Sequence, residues 1–202
     1  MIETKQNFYS AVENRRSIYG ISKDTVITDE RIEEIVAQAI KHSPSAYNSQ
    51  SGRAVILLGQ NHDKLWNITE AALREKVSAD KFKLTEEKMA AFRNGYGTIL
   101  FFEDQTVVKG LQEKFPSYAE KMPEYSMQSS GMLQYIVWTA LELEGFGVSL
   151  QHYNPIIDEA VQQIWDIPEN WKLISQMPFG KPTVGPREKQ YNSVEDRMIV
   201  FK

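Results

Sequence analysis

Apolar positions in this chain follow two periods, and the switches between them outline the elements. Ile32, Ile35, Val36, Ala39 and Ile40 recur at helical spacing behind the capping candidates Thr28 and Asp29. They predict an amphipathic helix that stops near His42-Ser43, because Pro44 disfavours helical geometry in the residue before it. Continuous apolar runs at 54–58 and 98–102 predict central strands buried on both faces, the first closed by Gly59. Between them the pattern gives a helix from about Asn61 and a charged, surface-exposed helical stretch within 76–93. A short helix is expected over 7–14, and a broken helix carrying Gly110, Pro116 and Pro123 over 104–125.

From 126 to 144 the polar face almost disappears: Met132, Leu133, Tyr135, Ile136, Val137, Trp138, Ala140, Leu141 and Leu143 run nearly all round the helix. Such a helix must be covered on most sides, and a dimer interface does this more easily than a small monomer core. Gly145 reads as its left-handed cap. Beyond it the pattern predicts a strand over 148–153, a helix from Asn154-Pro155 to Trp165 ended by 166–168, a strand over 171–177 and a terminal strand over 197–201. Four or five strands alternating with helices make a layered α/β or α+β domain. No repeat or linker divides the 202 residues, so the chain reads as one domain, 1–202.

Composition narrows the function classes. With 42% hydrophobic and 25% charged residues the chain has no disorder signature. A formal charge of -4 without strong segregation argues against a nucleic-acid or anionic-membrane surface, so any basic cluster is local. The absence of cysteine removes disulfides, thiolate nucleophiles and cysteine-held metals. His42, His62 and His152 show no metal-ligand spacing and read as structural or solvent-facing. The first six residues lack the apolar core of a signal peptide and no segment approaches a membrane span, which leads to the expectation of a cytoplasmic protein.

Three polar clusters stand out against this scaffold. Asn14-Arg15-Arg16-Ser17-Ile18-Tyr19 puts two guanidiniums and a hydroxyl after a short helix. Arginine forks match phosphate oxygens, although the same pair also suits a solvated helix end. Residues 43–52 pack hydroxyls with the carboxamides of Asn48 and Gln50, a donor and acceptor set suited to the edge of a heterocycle or to a capping loop. The third, Phe179-Gly180-Lys181-Pro182 through Gly185-Pro186-Arg187-Glu188-Lys189, adds positive charge on a stiffened loop.

In this order the clusters resemble the nitroreductase family of FMN enzymes over nearly the whole chain. The resemblance rests on the arginine-arginine-serine motif, the proline-serine-x-x-asparagine-serine-glutamine loop beginning at Pro44, the apolar central helix, the glycine turn after it and the late basic residues. It implies an α+β, three-layer sandwich with a mostly antiparallel sheet, completed as a homodimer with FMN between subunits. Arg15, Arg16 and Ser17 would then hold the phosphate and the pyrimidine side of the flavin. Pro44, Ser45, Asn48 and Gln50 would reach it partly across the subunit boundary. Gln151 and His152 fall where the family presents backbone amides near N5, and Lys189 with Arg187 matches a terminal phosphate clamp. Tyr19 stands where many members carry a lysine near flavin N1 and O2, and Ser51-Gly52 replaces the usual proline-tryptophan. Both departures resemble the compact branch found in fungi and low-GC bacteria.

The resemblance further implies ping-pong transfer of hydride from NADH or NADPH through flavin N5 to nitroaromatics or quinones, with no catalytic side chain required. Phe82, Phe92, Tyr96, Phe115, Tyr118 and Tyr125 would serve either as the lid of a channel for a small planar aromatic substrate or as core packing. An FMN-binding redox sensor responding to oxidative stress, with little turnover, would share every cofactor residue. A cofactor-free helical interaction module would explain the apolar helix and leave the polar clusters without a role.

Overall fold

The computed structural model describes residues 8–202. The expected helix start at Asn7, and the first six residues on which the signal-peptide expectation rests, lie outside the described residues. Helix α1 (Phe8–Asn14) leads into the two-residue strand β1 (Ile21–Ser22), and α2 (Asp29–His42) follows with Thr28 as its N-cap, its side chain accepting from the Arg31 N–H. A 3-10 turn (Ala46–Asn48) precedes β2 (Gly52–Leu58), α3 (Gly59–Arg74) and α4 (Ala79–Arg93). Then come β3 (Gly97–Asp104), α5 (Gln105–Lys114), a 3-10 turn (Pro116–Lys121), α6 (Met122–Leu143), β4 (Gly147–Val148), α7 (Asp158–Trp165) and β5 (Trp171–Pro182).

The sheet runs β1-β5-β3-β2, with β4 also on β5, and every strand pair is antiparallel. β3 divides two cores. Ile99 and Phe101 pack with Leu133, Val137 and Leu141 of α6 and with Ile32, Ile35 and Val36 of α2. Leu100 and Phe102 face Leu65, Trp66, Met89, Phe92 and Val161 of α3, α4 and α7. This is the expected α+β sandwich of three layers, because alternate residues of a strand point to opposite faces. A bulge interrupts that alternation on β5, where Phe101 pairs with Ser175 but Phe102 pairs with Leu173. The extra residue turns Leu173 to one core and Met177 and Phe179 to the other.

Several expectations need correction. Among the described residues the 54–58 run is an edge strand, paired with β3 alone. Its apolar residues are covered from both faces by α2 and α3, which is why it reads as central while its outer edge stays open. The 148–153 strand shrinks to β4 plus an isolated bridge between Gln151 and Gln176. α7 begins at Asp158 rather than near Pro155, and β5 continues five residues past Met177. Residues 197–201 form no strand and are exposed throughout. α6 begins at Met122 rather than 126; within the single chain Met127, Met132, Tyr135 and Leu143 of this helix remain exposed. Gly145 does adopt the positive φ (+99°) expected of a helix terminator. Among the described residues no helix is long and apolar enough to cross a membrane.

Candidate functional site

The loop after α1 is pinned in two places. Ile18 N–H donates to the Val148 carbonyl (2.9 Å), tying Ser17 beside β4, and Arg16 N–H donates to Glu142 Oε2 (2.8 Å) on the last turn of α6. Glu142 Oε1 accepts from the Trp138 indole (2.8 Å), and the Arg15 guanidinium lies 4.5 Å over the Trp138 ring. Burial pushes the Glu142 carboxyl up to about 7, against the opposing pull of the Arg16 N–H, the Trp138 N–H and the two arginine charges.

The C-terminal basic loop joins this cluster. Arg16 Nη2 donates to the Arg187 carbonyl, and the Arg187 guanidinium sits 5.7 Å over the Tyr19 ring. Tyr19, at the position where the resemblance anticipates a lysine, thus carries the Arg187 guanidinium over its ring, while the Arg187 main chain meets Arg16. Lys189 is exposed, with its ammonium 5.1 Å over Tyr191. Among the described residues none of Arg15, Arg16 and Arg187 forms an ion pair with a side-chain carboxylate. Guanidiniums that carry no carboxylate ion pair have the donor chemistry that suits an anion.

On the far side of β4 the chain returns along β5. Gln151 N–H donates to the Gln176 carbonyl (2.7 Å) and Tyr153 N–H to Gln176 Oε1 (2.7 Å). The resemblance offers the amides of both Gln151 and His152. The structure uses the first for sheet pairing, while the His152 N–H between them has no partner among the described residues.

Three of the four non-glycine residues with positive φ among the described residues lie in the 43–52 loop. Tyr47 (φ +55°), Asn48 (φ +52°) and Gln50 (φ +52°) all occupy the left-handed region without being glycine, a conformation that costs of order 1–3 kcal/mol per residue and persists only where the surroundings enforce it. The enforcing contacts are visible. Gln50 N–H donates to Ser45 Oγ (2.9 Å), Ala46 N–H donates to Ser129 Oγ of α6 (3.2 Å), and Tyr47 stacks on Phe115. Beneath the loop, Glu103 is buried and its Oε2 accepts from Ser51 (2.6 Å) and Ser126. Burial raises its pKa, only partly offset by those two hydroxyls. A cleft of about 300 Å³ opens beside the loop, lined by Pro44, Ser45, Gln50, Arg53, Glu103 and Trp171.

The structure thus brings Arg15, Arg16, Ser17 and Arg187 together, with Gln151 and His152 beyond β4, and places Pro44, Ser45, Asn48 and Gln50 elsewhere. Ser129, which supports the loop, and Glu142, which supports the arginines, are thirteen residues apart on α6, about 20 Å along its axis. No hydrogen bond or ion pair links the two groups among the described residues. Of the aromatic candidates, Phe82 and Phe92 are core residues, Tyr96 packs on Phe146 and Phe179, and Phe115 stacks on Tyr47 of the loop. Sequence reading missed Glu142 and Glu103. The signal for Glu142 was an acid in the last turn of an otherwise apolar helix, where the helix dipole disfavours it.

Comparison with known proteins agrees with the fold. The chain is 35% identical over 187 residues to the nitroreductase FRM2 of Saccharomyces cerevisiae, covering 92% of this chain and 93% of the relative. Among solved structures, nitroreductase CinD from Lactococcus lactis, in complex with chloramphenicol, superposes with a TM-score of 0.89 at 44% identity, covering 97% of this chain and 100% of that one. A nitroreductase from Saccharomyces cerevisiae superposes with a TM-score of 0.77 at 33% identity, over 89% and 98% of the two chains. The Nitroreductase family profile matches residues 12–181, and with the fold and these relatives in agreement the chain belongs to the nitroreductase family.

Proposed function

We propose that this chain is an FMN-dependent oxidoreductase that passes hydride from NADH or NADPH to nitroaromatics or quinones, as a homodimer with the flavin in the crevice between subunits. The carrying observation is the separation of the two half-sites by about 20 Å along one helix. Between them α6 and α1 present an apolar groove of about 770 Å³ lined by Phe8, Val12, Met132, Tyr135, Ile136 and Leu143. A second copy related by a two-fold axis, its α6 running antiparallel across that groove, carries its loop to the first copy's arginines and covers both grooves at once. The open edge of β2 and the exposed apolar tail, with Ile199 79% and Phe201 93% exposed, ask for the same partner. In that setting 197–201 becomes a strand only against a second chain.

The donor set fits FMN. Arg15, Arg16 and Arg187 hold the phosphate, with Ser17 and Lys189 completing the grip. Asn48 and Gln50, with Pro44 and Ser45 shaping the loop, present carboxamides to the heterocycle edge from the partner side, and Gln151 fixes the turn that aims the His152 N–H. When bound, the flavin supplies the hydride-carrying centre. The protein's contribution is position, positive charge and the exclusion of water by the paired apolar faces. CinD in complex with chloramphenicol and with 4-nitrophenol supports a small planar nitroaromatic as substrate class here. In this role the chain acts as one domain, 1–202, in the cytoplasm, where reduced nicotinamide is generated.

The test is direct. Purified yellow protein is mixed with reduced nicotinamide and 4-nitrophenol, and nicotinamide absorbance is followed. Sustained consumption supports the reductase. Flavin that stays oxidised over many minutes supports a sensor, and protein that remains colourless with added FMN removes both.

A further inference from the structure

Glu142 is an unexpected residue at its position. It sits half-buried in the last turn of α6, where the helix dipole and burial both oppose a negative charge, on a helix with no basic residue in that turn. It stands beside the arginine cluster, yet it pairs with neither guanidinium among the described residues. Instead each oxygen takes a different neutral donor: Oε2 the Arg16 main-chain N–H and Oε1 the Trp138 indole N–H, both at 2.8 Å.

These two bonds act on the two arginines by separate routes. Holding the Arg16 N–H fixes the backbone from which its guanidinium departs, so that the fork reaches the Arg187 carbonyl. Holding the indole fixes the orientation of the ring on which Arg15 lies, 4.5 Å from the centroid, with the Tyr135 ring 6.0 Å from the same guanidinium. A carboxylate paired with either guanidinium would compete with an incoming phosphate. One engaged by an amide and an indole orders the forks and leaves their N–H groups available.

We propose that Glu142 is a positioning residue for the phosphate grip: it holds Arg15 through Trp138 and Arg16 through its main chain, and thereby sets how strongly the site prefers a phosphorylated flavin over the same flavin without phosphate. The inference rests on the flavin reading above and deepens it.

The experiment measures dissociation constants of FMN and riboflavin for the apoprotein, by quenching of flavin fluorescence, in wild type, Glu142→Ala, Glu142→Gln and Trp138→Phe. Riboflavin lacks only the phosphate, so the ratio of the two constants isolates the arginine grip from general damage. Losing hydrogen bonds to a charged acceptor predicts that Glu142→Ala lowers the preference for FMN by about tenfold to a hundredfold, with riboflavin affinity within about twofold of wild type. Glu142→Gln keeps one acceptor and turns an amide N–H toward the other donor, so it lies between. Trp138→Phe removes the indole donor but keeps a ring under Arg15, and lowers the ratio by several-fold even if the alanine variant fails to fold. Equal loss of both ligands, or an unchanged ratio in the folded variants, overturns the inference while leaving the flavin reading intact. Wild type that binds neither flavin overturns the reading itself.

Discussion

Tyr47 stacks on Phe115 with ring centroids 4.4 Å apart and planes 21° from parallel, joining the strained 43–52 loop to the end of α5. Tyr47 is half-exposed and has a positive φ, so this ring contact is one of few forces holding the loop in shape. A stacked pair contributes about 0.5–1.5 kcal/mol beyond area burial. Phe115→Ala is therefore expected to weaken FMN binding about two- to tenfold, measured by flavin titration, with little change in the unfolding midpoint of the apoprotein. A lowered midpoint with unchanged flavin affinity would place the pair in the fold rather than the site.

Arg16→Ala removes one of three guanidiniums that lack a carboxylate partner. Its main-chain N–H bond to Glu142 survives the substitution, so the local backbone is retained. The expected result is loss of flavin during dialysis, with an affinity reduction of about tenfold or more for a charge-assisted contact. Full retention of FMN through dialysis would remove Arg16 from the phosphate grip.

His62 gives the fold a pH dependence. It is buried, its ring bonded to Thr98 Oγ1 (2.9 Å) and the Arg93 carbonyl (3.2 Å), and burial pulls its pKa down from 6.5 to about 4. The unfolded chain then binds more protons than the folded one between those values, so stability is intact above 6.5 and is lost as pH falls through the window. The shift corresponds to about 3 kcal/mol by pH 4. Because Glu142, raised to about 7, contributes the opposite slope over much of this window, the readout is a difference: in urea unfolding of the apoproteins, the stability of wild type relative to His62→Gln should fall as pH drops from 6.5 to 4. Parallel slopes in the two proteins would contradict the assignment.

Gly180 is required by close approach. A Cβ there would lie 2.4 Å from the Ser22 carbonyl oxygen and 3.0 Å from the Tyr96 nitrogen, both main-chain atoms that cannot rotate away. Gly180 also pairs with Gly147, so it sets β4 and hence the backbone beside Ser17. Gly180→Ala is expected to destabilise the fold by about 1–3 kcal/mol or more and to lower flavin content with it. An unchanged thermal midpoint would show that the β1–β5 contact yields more easily than its geometry indicates.

What the sequence disclosed follows from where each signal is local. α2 and β3 were legible because their patterns record burial against neighbours that lie within the same chain. β2 was placed in the sheet interior because helices cover both its faces, and a face pattern carries no information about an open edge. The 197–201 run has strand character but pairs with no strand of its own chain among the described residues. β5 outruns its expected end because Pro178 sits in a strand, opposite Thr98, where its missing N–H normally argues against one. β1 and β4, two residues each, are products of tertiary contact and leave no periodic trace. At the candidate site, the arginines and carboxamides were visible as residue types. Glu142 and Glu103 were not, because their importance lies in which distant N–H and hydroxyl groups they accept from.

The central claim is that one flavin site takes its arginines from one chain and its carboxamide loop from another. Sedimentation velocity of the purified holoprotein, followed both at the flavin band and at the protein band, tests it most directly. Flavin absorbance should move with a species of twice the chain mass at one flavin per chain, and dilution that splits the dimer should release the flavin in step. Flavin sedimenting with a stable monomer would contradict the account.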